Sequence, residues 1–541
     1  MRLTNFTQKD YTTHGSFYQL KLPLEIEYII PKDDSVRLLS QIVEEMDLTE
    51  LYQTYFRIRK NQATPIQMLK IMLYGYMSHY YATRKIEASC KRDINFMYLL
   101  EGAPAPDYST IARFRSLHFA PVCEKIMAQI TDFLEENGEL SLENIFIDGT
   151  KLEAAANKYT FVWKRAVTKN QKKLMDKIPA FILQCEQDFG FKILYENQVK
   201  IHHLKKLRKK LKKIQNDEGV VFVHGIGKRK SLLQKTLEQL DEYLQRLKQY
   251  DKNIHIMGKR NSFSKTDHDA TFMRMKEDAM KNGQLKPAYN VQFGIDAEYV
   301  VWISAGPQCT DTTMLIPFLE GLKENQNRIY KKIVADSGYE SEENYIYLEK
   351  NGQLAFIKPS DYEISKTRKY KTDISRKENM KYYASEDVYI CNNSKKLMVS
   401  GIKKSKSKTG YESEKTCYTC EDCNGCQLKS KCIKGNNSKI PLEERTKHLE
   451  ISKLFQKERQ KSLERILSDE GTELRMNRSI QSEGTFGDVK QNMGFRRFLC
   501  RGKQNILAEC ILLGIAHNVR KLHNKIQSGR CASYLHPLKT A

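Results

Sequence analysis

Two short apolar runs in this chain end in the same way, with an aspartate that a glycine soon follows. Residues 145–147 read Ile-Phe-Ile and precede Asp148, and residues 333–335 read Ile-Val-Ala and precede Asp336. Continuous runs of this length predict strands that are buried on both faces. Because open α/β sheets carry their chemistry at strand ends, we expect the two carboxylates to form half of a metal site.

The apolar residues between positions 36 and 137 follow a helical spacing, and one helix of this region begins after Asp107. Asp107 or Ser109 would cap that helix by accepting hydrogen bonds from its first turn. The same helix carries Arg113 and Arg115. Short helices with a basic outer face are typical of a helix-turn-helix reader of a DNA groove, so both arginines are candidate DNA ligands. A plain helical bundle with solvated arginines is the competing interpretation.

Two further runs, 289–295 and 299–304, predict an antiparallel hairpin, in which Asp296 serves the turn rather than catalysis. Asp311 stands before an apolar helical run and is predicted to cap that helix. Another short strand is expected at residues 354–357. These elements would stand next to the two strands that end in aspartate.

The segment 157–260 differs from the rest of the chain in its charge. It holds 25 Lys and Arg residues against 10 Asp and Glu residues, which makes up 15 of the 24 net positive charges. Leucines between positions 204 and 211 keep the spacing of one helix face, which predicts a helical hairpin with one apolar seam. Lys209 and Lys210 would bind phosphates without reading sequence, although a solvated pair of charged helices also explains the seam. Trp163 would pack in a core or stack on an unpaired base.

The chain as a whole has 541 residues and a net charge of +24, which implies a polyanionic partner. Nucleic acid and an anionic membrane surface are the main candidates. No apolar run approaches the roughly 18 residues of a membrane span, and the N-terminus lacks a signal-peptide core. We therefore expect a cytoplasmic protein that binds nucleic acid and no membrane.

Six of the 13 cysteines lie between positions 391 and 432, most of them three residues apart. This clustering indicates a metal site in a reduced compartment rather than a disulfide framework. Four thiolates around tetrahedral zinc would stabilise a small strand pair that has no core of its own. A reduced, metal-free cluster is the alternative, and the spacing does not say which four would bind. The candidates are Cys391, Cys417, Cys420, Cys423, Cys426 and Cys432.

A third acid, Glu483, lies in a long helical stretch near the end of the chain. Glu483 and Lys490 are seven residues apart, which places them on one face if the helix continues. Gly484 and Gly487 lie between them and leave that continuation open.

These motifs together resemble the DDE transposases of bacterial insertion sequences, which have a ribonuclease-H-like catalytic core. The similarity covers most of the chain and keeps the order Asp, Asp, Glu. It includes a cysteine-rich segment between the second aspartate and the glutamate, as in one branch of the family. Arg478 departs from the family pattern, because it stands one residue further from Glu483 than the usual arginine. The matching segments are 106–115, 147–151, 289–292, 335–339 and 483–497.

The resemblance implies a transposase that binds the terminal inverted repeats of its element, hydrolyses phosphodiester bonds at the ends and joins the 3′-hydroxyls to target DNA. Asp148, Asp336 and Glu483 would be the catalytic acids and would hold two Mg²⁺ or Mn²⁺ ions. It also implies a homodimer in a paired-end complex, in the bacterial cytoplasm at the nucleoid. The expected DNA ligands are Arg113, Arg115, Trp163, Lys209, Lys210, Arg478, Lys490, Arg496 and Arg497.

Two rival functions stay open. The first is a metal-dependent DNA nuclease that cuts without joining. The second is a DNA-binding transposition repressor, or an inactive copy, with a catalytically dead core. The presence of all three acids argues against a dead core, and metal-dependent nicking would separate the two cases.

The expected fold is α/β, with a ribonuclease-H-like mixed sheet flanked by helices and interrupted by two insertions. The domains would be an N-terminal helical DNA-binding domain (1–140), a core (141–156, 261–380 and 441–525), a basic helical insertion (157–260), a Cys-rich zinc-binding insertion (381–440) and a tail (526–541).

Overall fold

The computed structural model describes residues 29–195, 198–225, 227–275, 283–435 and 440–538. The first 28 residues of the predicted N-terminal domain and the last three of the predicted tail therefore lie outside the described residues. The described chain is mixed α/β, as the sequence predicts, with helices packed on a mixed sheet. None of the helices within these ranges is both long enough and apolar enough to cross a bilayer.

The described elements follow one another in four groups. The first group is helical, with α1 (Ser35–Glu44), α2 (Thr49–Gln53), α3 (Pro65–Met77), α4 (Thr83–Cys90), α5 (Ile94–Leu100), α6 (Tyr108–Arg113), a π-helical turn (Phe114–Phe119) and α7 (Cys123–Glu136). The second group holds β1 (Asn144–Glu153), β2 (Phe161–Trp163), α8 (Lys164–Phe189), α9 (Ile201–Asp217), α10 (Leu232–Met257), β3 (Ser262–Ser264), β4 (Thr271–Arg274), β5 (Leu285–Asp296), β6 (Tyr299–Gly306), α11 (Leu315–Gln326), β7 (Lys332–Ala335), α12 (Glu342–Lys350) and β8 (Leu354–Ile357).

The third group surrounds the cysteines and the fourth is helical again. The third holds α13 (Tyr362–Ser365), α14 (Arg368–Lys371), β9 (Lys381–Tyr383), β10 (Val388–Ile390), β11 (Lys396–Lys406), β12 (Glu412–Cys420), α15 (Lys429–Cys432) and β13 (His448–Ile451). The fourth holds α16 (Lys453–Leu467), α17 (Asp469–Arg478), a π-helical turn (Ser479–Glu483), α18 (Gly484–Gly487), a second π-helical turn (Asp488–Asn492) and α19 (Lys503–Gln527).

Side-chain caps define where helices of the first group begin. Thr64 and Gln67 form a capping box at the start of α3, in which each side chain accepts a hydrogen bond from the other residue's backbone N–H. Asp107 caps α6 by accepting hydrogen bonds from the backbone N–H groups of Ser109 and Thr110, at 2.8 and 3.1 Å. The predicted start of this helix is therefore confirmed.

The central sheet has the strand order β8, β7, β1, β5, and β4 and β6 share the outer edge of β5. β1, β5 and β6 are antiparallel neighbours, whereas β7 and β8 run parallel to β1. The predicted hairpin is confirmed as β5 and β6. Asp296, at its turn, accepts hydrogen bonds from the backbone N–H groups of Ser141 and Leu142 and so has a structural role.

Helix α19 joins the sheet to the N-terminal helices in one hydrophobic core. It packs on β6 on one side and on α3 on the other, as its apolar face predicts. Gly514 permits the close approach to the sheet, because an added Cβ would lie 2.7 Å from Ile303 Cδ1.

The basic segment forms a three-helix unit rather than the predicted helical hairpin. α8, α9 and α10 enclose a core of their own, which includes Ile178, Leu207 and Leu240. The predicted seam at positions 204–211 lies inside this core. The hairpin prediction missed α8, whose apolar positions are spread among lysines and interrupted by Pro179.

The Cys-rich segment forms a five-stranded antiparallel sheet, in the order β9, β10, β11, β12, β13. Leu397, Tyr389, Tyr418 and Ile451 belong to its small core. The sheet is larger than the predicted strand pair, because four strands form between residues 381 and 420 and β13 adds a fifth from beyond residue 440.

Helical structure continues through Gly484 and Gly487, where the sequence left a break open. The chain passes from α17 through a π-helical turn, α18 and a second π-helical turn. Backbone hydrogen bonds in a π-helix span five residues instead of four. An added Cβ at either glycine would meet no described atom within 4 Å.

Asp488 ties the second π-helical turn to α19. Its carboxylate Oδ2 lies 2.8 Å from His517 Nδ1 and 3.7 Å from Arg520 Nη1. Burial raises the pKa of Asp488, but hydrogen bonds from His517 and Asn492 and the charge of Arg520 outweigh burial and hold the pKa below its ordinary value of 3.8. The ionised carboxylate therefore stabilises this contact.

Candidate active site

Asp148 and Asp336 lie next to each other at one edge of the central sheet. β1 and β7 are parallel, and Ile147 pairs with Ala335 in their register. The next residue on each chain segment is one of the two aspartates. Asp148 is buried, whereas the Asp336 side chain is 38% exposed. The structure thus brings the two predicted carboxylates together.

Backbone amides orient both carboxylates. The Gly149 N–H donates to Asp148 Oδ1 at 2.8 Å, and the Gly338 N–H donates to Asp336 Oδ1, also at 2.8 Å. Arg478 Nη2 lies 3.1 Å from Asp148 Oδ2 and 3.9 Å from Asp336 Oδ2. In each aspartate, Oδ1 therefore accepts a backbone hydrogen bond, and Oδ2 faces the guanidinium of Arg478, which the two aspartates share.

Arg478 is a half-buried cation between the two acids. Its Nε atom is buried and makes no hydrogen bond within the described part of the chain. A guanidinium at this place offsets the repulsion between two neighbouring carboxylates. The side chain that the sequence predicts to contact DNA is therefore also part of the carboxylate site.

A π-helical turn accounts for the unusual spacing between Arg478 and Glu483. The turn covers Ser479–Glu483, directly after α17 ends at Arg478. Because π-helical hydrogen bonds span five residues, the one extra residue is accommodated within a single turn. The departure from the family pattern thus has a local backbone explanation.

Glu483 does not join the two aspartates in the structure. Its side chain is exposed, although its π-helical turn packs on β1 and β5. Within the described ranges, no three His, Cys, Asp or Glu side chains are grouped so that they could hold a metal ion. The role of Glu483 as third catalytic acid stays a prediction.

Asp311 is the residue of this site that the sequence reasoning missed. The prediction that it caps the following helix is wrong, because Asp311 begins a 3₁₀ turn (Asp311–Thr313) and Met314 occupies the N-cap position of α11. Asp311 Oδ1 accepts hydrogen bonds from Asn290 Nδ2 at 2.7 Å and from Gln292 Nε2 at 3.0 Å. The available signal was two polar amides that alternate along an otherwise apolar strand.

A glycine comes one or two residues after each of these aspartates and leaves room for Asp311. A Cβ added at Gly149 would lie 2.6 Å from Asp311 Oδ1 and 2.5 Å from Gln292 Nε2. A Cβ added at Gly338 would lie 3.3 Å from Asp311 Oδ2 and 3.0 Å from Asp336 Oδ1. Both glycines therefore serve close packing around one carboxylate.

Tyr339 is linked to Asp311 through the side chain of Gln292. Its hydroxyl donates a hydrogen bond to Gln292 Oε1. Burial raises the pKa of Tyr339 well above its ordinary value of 10, and the nearby charges of Asp311, Asp148 and Asp336 raise it further. The phenol therefore stays protonated and remains a hydrogen-bond donor.

Arg115 is buried, so the prediction that it contacts DNA is wrong. Its Nη1 lies 3.3 Å from Glu509 Oε1 and donates to the Tyr76 hydroxyl at 3.3 Å. Arg113 is exposed at the end of α6, and Arg115 lies in the π-helical turn that directly continues this helix. Residues that are two positions apart on an α-helix point about 200° away from each other. A helix that packs on one side can therefore present only one of these two arginines to solvent.

The other predicted DNA ligands differ in their surroundings. Trp163 is half-buried beside Phe161 and Phe272, which fits the packing interpretation. Arg497 donates to the backbone carbonyls of Ala154 and Ala156 at the end of β1. Lys490 is half-buried, whereas the exposed side chains are Lys209, Lys210, Arg496 and Arg497.

A small cavity of about 20 Å³ lies beside β12, and five of the six candidate zinc ligands line it. Cys417 is absent from the lining, because it is three residues from Cys420 on β12 and side chains alternate between the faces of a strand. Burial raises the pKa of Cys420 to about 12, with neighbouring thiols adding to the effect. The thiols at the cavity are Cys391, Cys420, Cys423, Cys426 and Cys432.

Two family models match the chain. A transposase DDE domain matches residues 390–523, and a transposase domain (DUF772) matches residues 24–117. Together these matches indicate a DDE-type insertion-sequence transposase. The first match contains Glu483, whereas Asp148 and Asp336 lie outside both.

No curated protein and no solved structure gives a significant match to the chain. The two domain matches and the geometry of the site are therefore the basis for assigning a function. Transposases of the DDE type generally depend on a divalent metal.

Proposed function

We propose that the protein is the transposase of a bacterial insertion sequence. It binds the terminal inverted repeats as double-stranded DNA, hydrolyses phosphodiester bonds at the element ends and transfers the 3′-hydroxyl ends to target DNA. The observation that carries this proposal is the adjacency of Asp148 and Asp336, in a chain with two transposase domain matches.

The chemistry of the two aspartates fits a divalent metal. Carboxylate oxygens are the hard ligands that Mg²⁺ and Mn²⁺ take, and the Oδ2 atoms of Asp148 and Asp336 already share one cation, Arg478. We assign these two acids and Glu483 as the metal ligands. A two-metal site activates the attacking water or 3′-hydroxyl and stabilises the leaving 3′-oxygen. Because Glu483 is exposed, its movement to the pair on DNA binding is part of the proposal.

Basic side chains would hold the DNA around this site. Lys490 would hold a phosphate next to the scissile bond, and Arg478, which lies beside the two acids, would add a further contact to the DNA. Lys209 and Lys210, on the three-helix unit, would bind backbone phosphates without reading sequence. Arg113 and Arg496 are exposed and would add further phosphate contacts.

The sheet supports a ribonuclease-H-like core. Three antiparallel strands are followed by two strands parallel to β1, and the acids stand on β1 and directly after β7. We retain the domain division expected from the sequence, except that the Cys-rich insertion extends to Ile451, because β13 belongs to its sheet. A homodimer in the paired-end complex and a cytoplasmic location at the nucleoid complete the proposal.

We also propose that the Cys-rich sheet holds one structural Zn²⁺ at the cavity beside β12. Support comes from the five cysteines around a space that fits one water-sized group. Their thiols are not grouped closely enough to form a ready metal site. Metal binding would require thiolates and would release protons, since burial raises the pKa of Cys420.

The test is cleavage of a plasmid that carries the DNA flanking the protein's own gene. Purified protein, with and without Mg²⁺, is scored for nicks and double-strand breaks at the repeat ends. Asp336→Asn keeps the side-chain shape and removes the charge, so we expect end binding without cutting. Asp217→Asn makes the same change on the exposed surface of α9 and should cut normally. Cutting by Asp336→Asn, or loss of its end binding, would contradict the assignment.

A DNA-binding repressor or inactive copy is the second candidate. One observation favours it, namely that Glu483 lies exposed and apart from the two aspartates. Specific end binding with no cutting in either Mg²⁺ or Mn²⁺ would support this candidate. Cutting without any strand-transfer product would instead indicate a nuclease.

A further inference from the structure

We propose that Asp311 is a positioning residue for the catalytic aspartates, a role that rests on the proposed function. It holds the segments after Asp148 and Asp336 in place and adds negative charge beside them. Its effect would be measured as the metal affinity of the site. Three sets of contacts lead to this inference.

The first set fixes Asp311 against the strand beside Asp148. Asn290 and Gln292 are 1% and 0% exposed, and both donate side-chain amide hydrogen bonds to Asp311 Oδ1. Gln292 pairs with Gly149 in the register of β1 and β5. The carboxylate therefore lies directly over the residue that follows Asp148.

The second set reaches the segment that carries Asp336. Thr312, next to Asp311 in the chain, donates its hydroxyl to the Gly338 carbonyl at 2.8 Å. The Gly338 N–H in turn orients Asp336 Oδ1. Asp311 Oδ2 and Asp336 Oδ1 both lie close to the position that a Cβ atom would take at Gly338. One short segment thus supports the loop that orients the second catalytic acid.

The third set concerns charge. A neutral amide at position 311 could still accept the two hydrogen bonds from β5. A carboxylate adds a third negative charge near Asp148 and Asp336, and all three acids act on the pKa of Tyr339. Negative charge at this edge favours a bound cation. We therefore expect the charge of Asp311 to serve metal affinity and its hydrogen bonds to serve geometry.

The experiment separates these effects with Asp311→Asn, which keeps the shape and the acceptor oxygen. Mn²⁺ binding to the full chain is measured by electron paramagnetic resonance, and plasmid nicking is titrated with Mg²⁺. We expect half-saturation to need about 10- to 100-fold more metal in both assays, as for other residues that support metal ligands. Saturating metal should restore the nicking rate. Asp217→Asn is the matched charge control.

Unchanged Mn²⁺ affinity in Asp311→Asn would overturn the inference, and so would a nicking defect that excess metal does not relieve. If Asp311→Asn fails to fold, Thr312→Val replaces it, since it removes only the hydrogen bond to Gly338. That variant should raise the metal requirement more weakly, and no change would again overturn the inference. If the wild-type protein binds Mn²⁺ more tightly than Asp311→Asn does but cuts no DNA, the proposed function is refuted and this inference stays intact.

Discussion

Arg115 provides the sharpest test of how the structure revises the predicted DNA-binding surface. Its guanidinium pairs with Glu509, and both side chains are buried, at 8% and 0% exposure. Arg115→Met removes the positive charge and keeps most of the volume. Glu509 would then remain buried with a charge that burial already disfavours, as the raised pKa of its carboxyl shows.

The size of the effect follows from the hydrogen bonds that remain. Removing one partner of a buried ion pair costs about 3–5 kcal/mol. Glu509 keeps hydrogen bonds from the backbone N–H groups of Leu499 and Cys500, each at 3.0 Å, so the lower end applies. With an m value of about 3 kcal/mol per molar urea, a loss of about 3 kcal/mol lowers the unfolding midpoint by about 1 M.

The assay compares Arg115→Met with Arg113→Met, which makes the same substitution at the exposed position of α6. Arg113→Met should change stability by less than about 0.5 kcal/mol. If Arg113 contacts a phosphate, Arg113→Met should reduce the slope of log K for DNA binding against log salt concentration by about one unit. Arg115→Met should leave this slope unchanged. Adding Glu509→Gln to Arg115→Met should recover part of the lost stability, because the unpaired charge is removed.

Two results would refute this reasoning. One is equal unfolding midpoints for Arg115→Met and Arg113→Met. The other is a weaker salt dependence of DNA binding in Arg115→Met alone, which would return this arginine to the DNA surface.

The remaining predictions concern three other parts of the chain. The pKa of Asp488 is lowered on folding, so its stabilisation exists above about pH 3.8 and fades as the pH falls below that value. The stability difference between wild type and Asp488→Asn, followed by urea unfolding, should therefore stay nearly constant from about pH 6 to about pH 5 and shrink as the pH falls from about 4 to about 2. Gly471→Ala places a Cβ 1.9 Å from the backbone carbonyl oxygen of Arg465 and should lower the free energy of unfolding by about 2 kcal/mol or more. Gly484→Ala meets no such contact and should be neutral or stabilising by about 0.5–1 kcal/mol. Thermal unfolding of the two variants checks this difference. Elemental analysis should find one zinc per chain that is lost in Cys423→Ser and kept in Cys417→Ser, and equal zinc content in both would refute the proposed ligand set.

Local patterns in the sequence were enough for the strand ends and for the start of α6. An apolar run of three residues before an aspartate indicates that the strand is buried. Asp107 caps α6 by accepting hydrogen bonds from residues only two and three positions along the chain. Five of the six cysteines lie within residues 417–432, so their spacing places them near one another, but only the structure shows that Cys391 joins the cavity and Cys417 does not. In the first two cases the information lies within a few residues of the feature.

The carboxylate site required the tertiary structure. Asp311 meets Asn290 and Gln292 only because β5 and the segment before α11 fold back on each other, and nothing in the spacing of these residues distinguishes a helix cap from a network partner. Arg478 and Glu483 have the expected order, but the π-helical turn between them decides their separation in space.

The same division explains Arg113, which ends α6, and Arg115, which lies in the π-helical turn that continues this helix. Helical periodicity determines that Arg113 and Arg115 face different directions, since they are about 200° apart. It does not determine which direction is inward. That choice depends on α19, which brings Glu509 to Arg115 from 394 residues away. A sequence pattern shows which side chains share a face, whereas the partner that buries the face comes from distant parts of the chain.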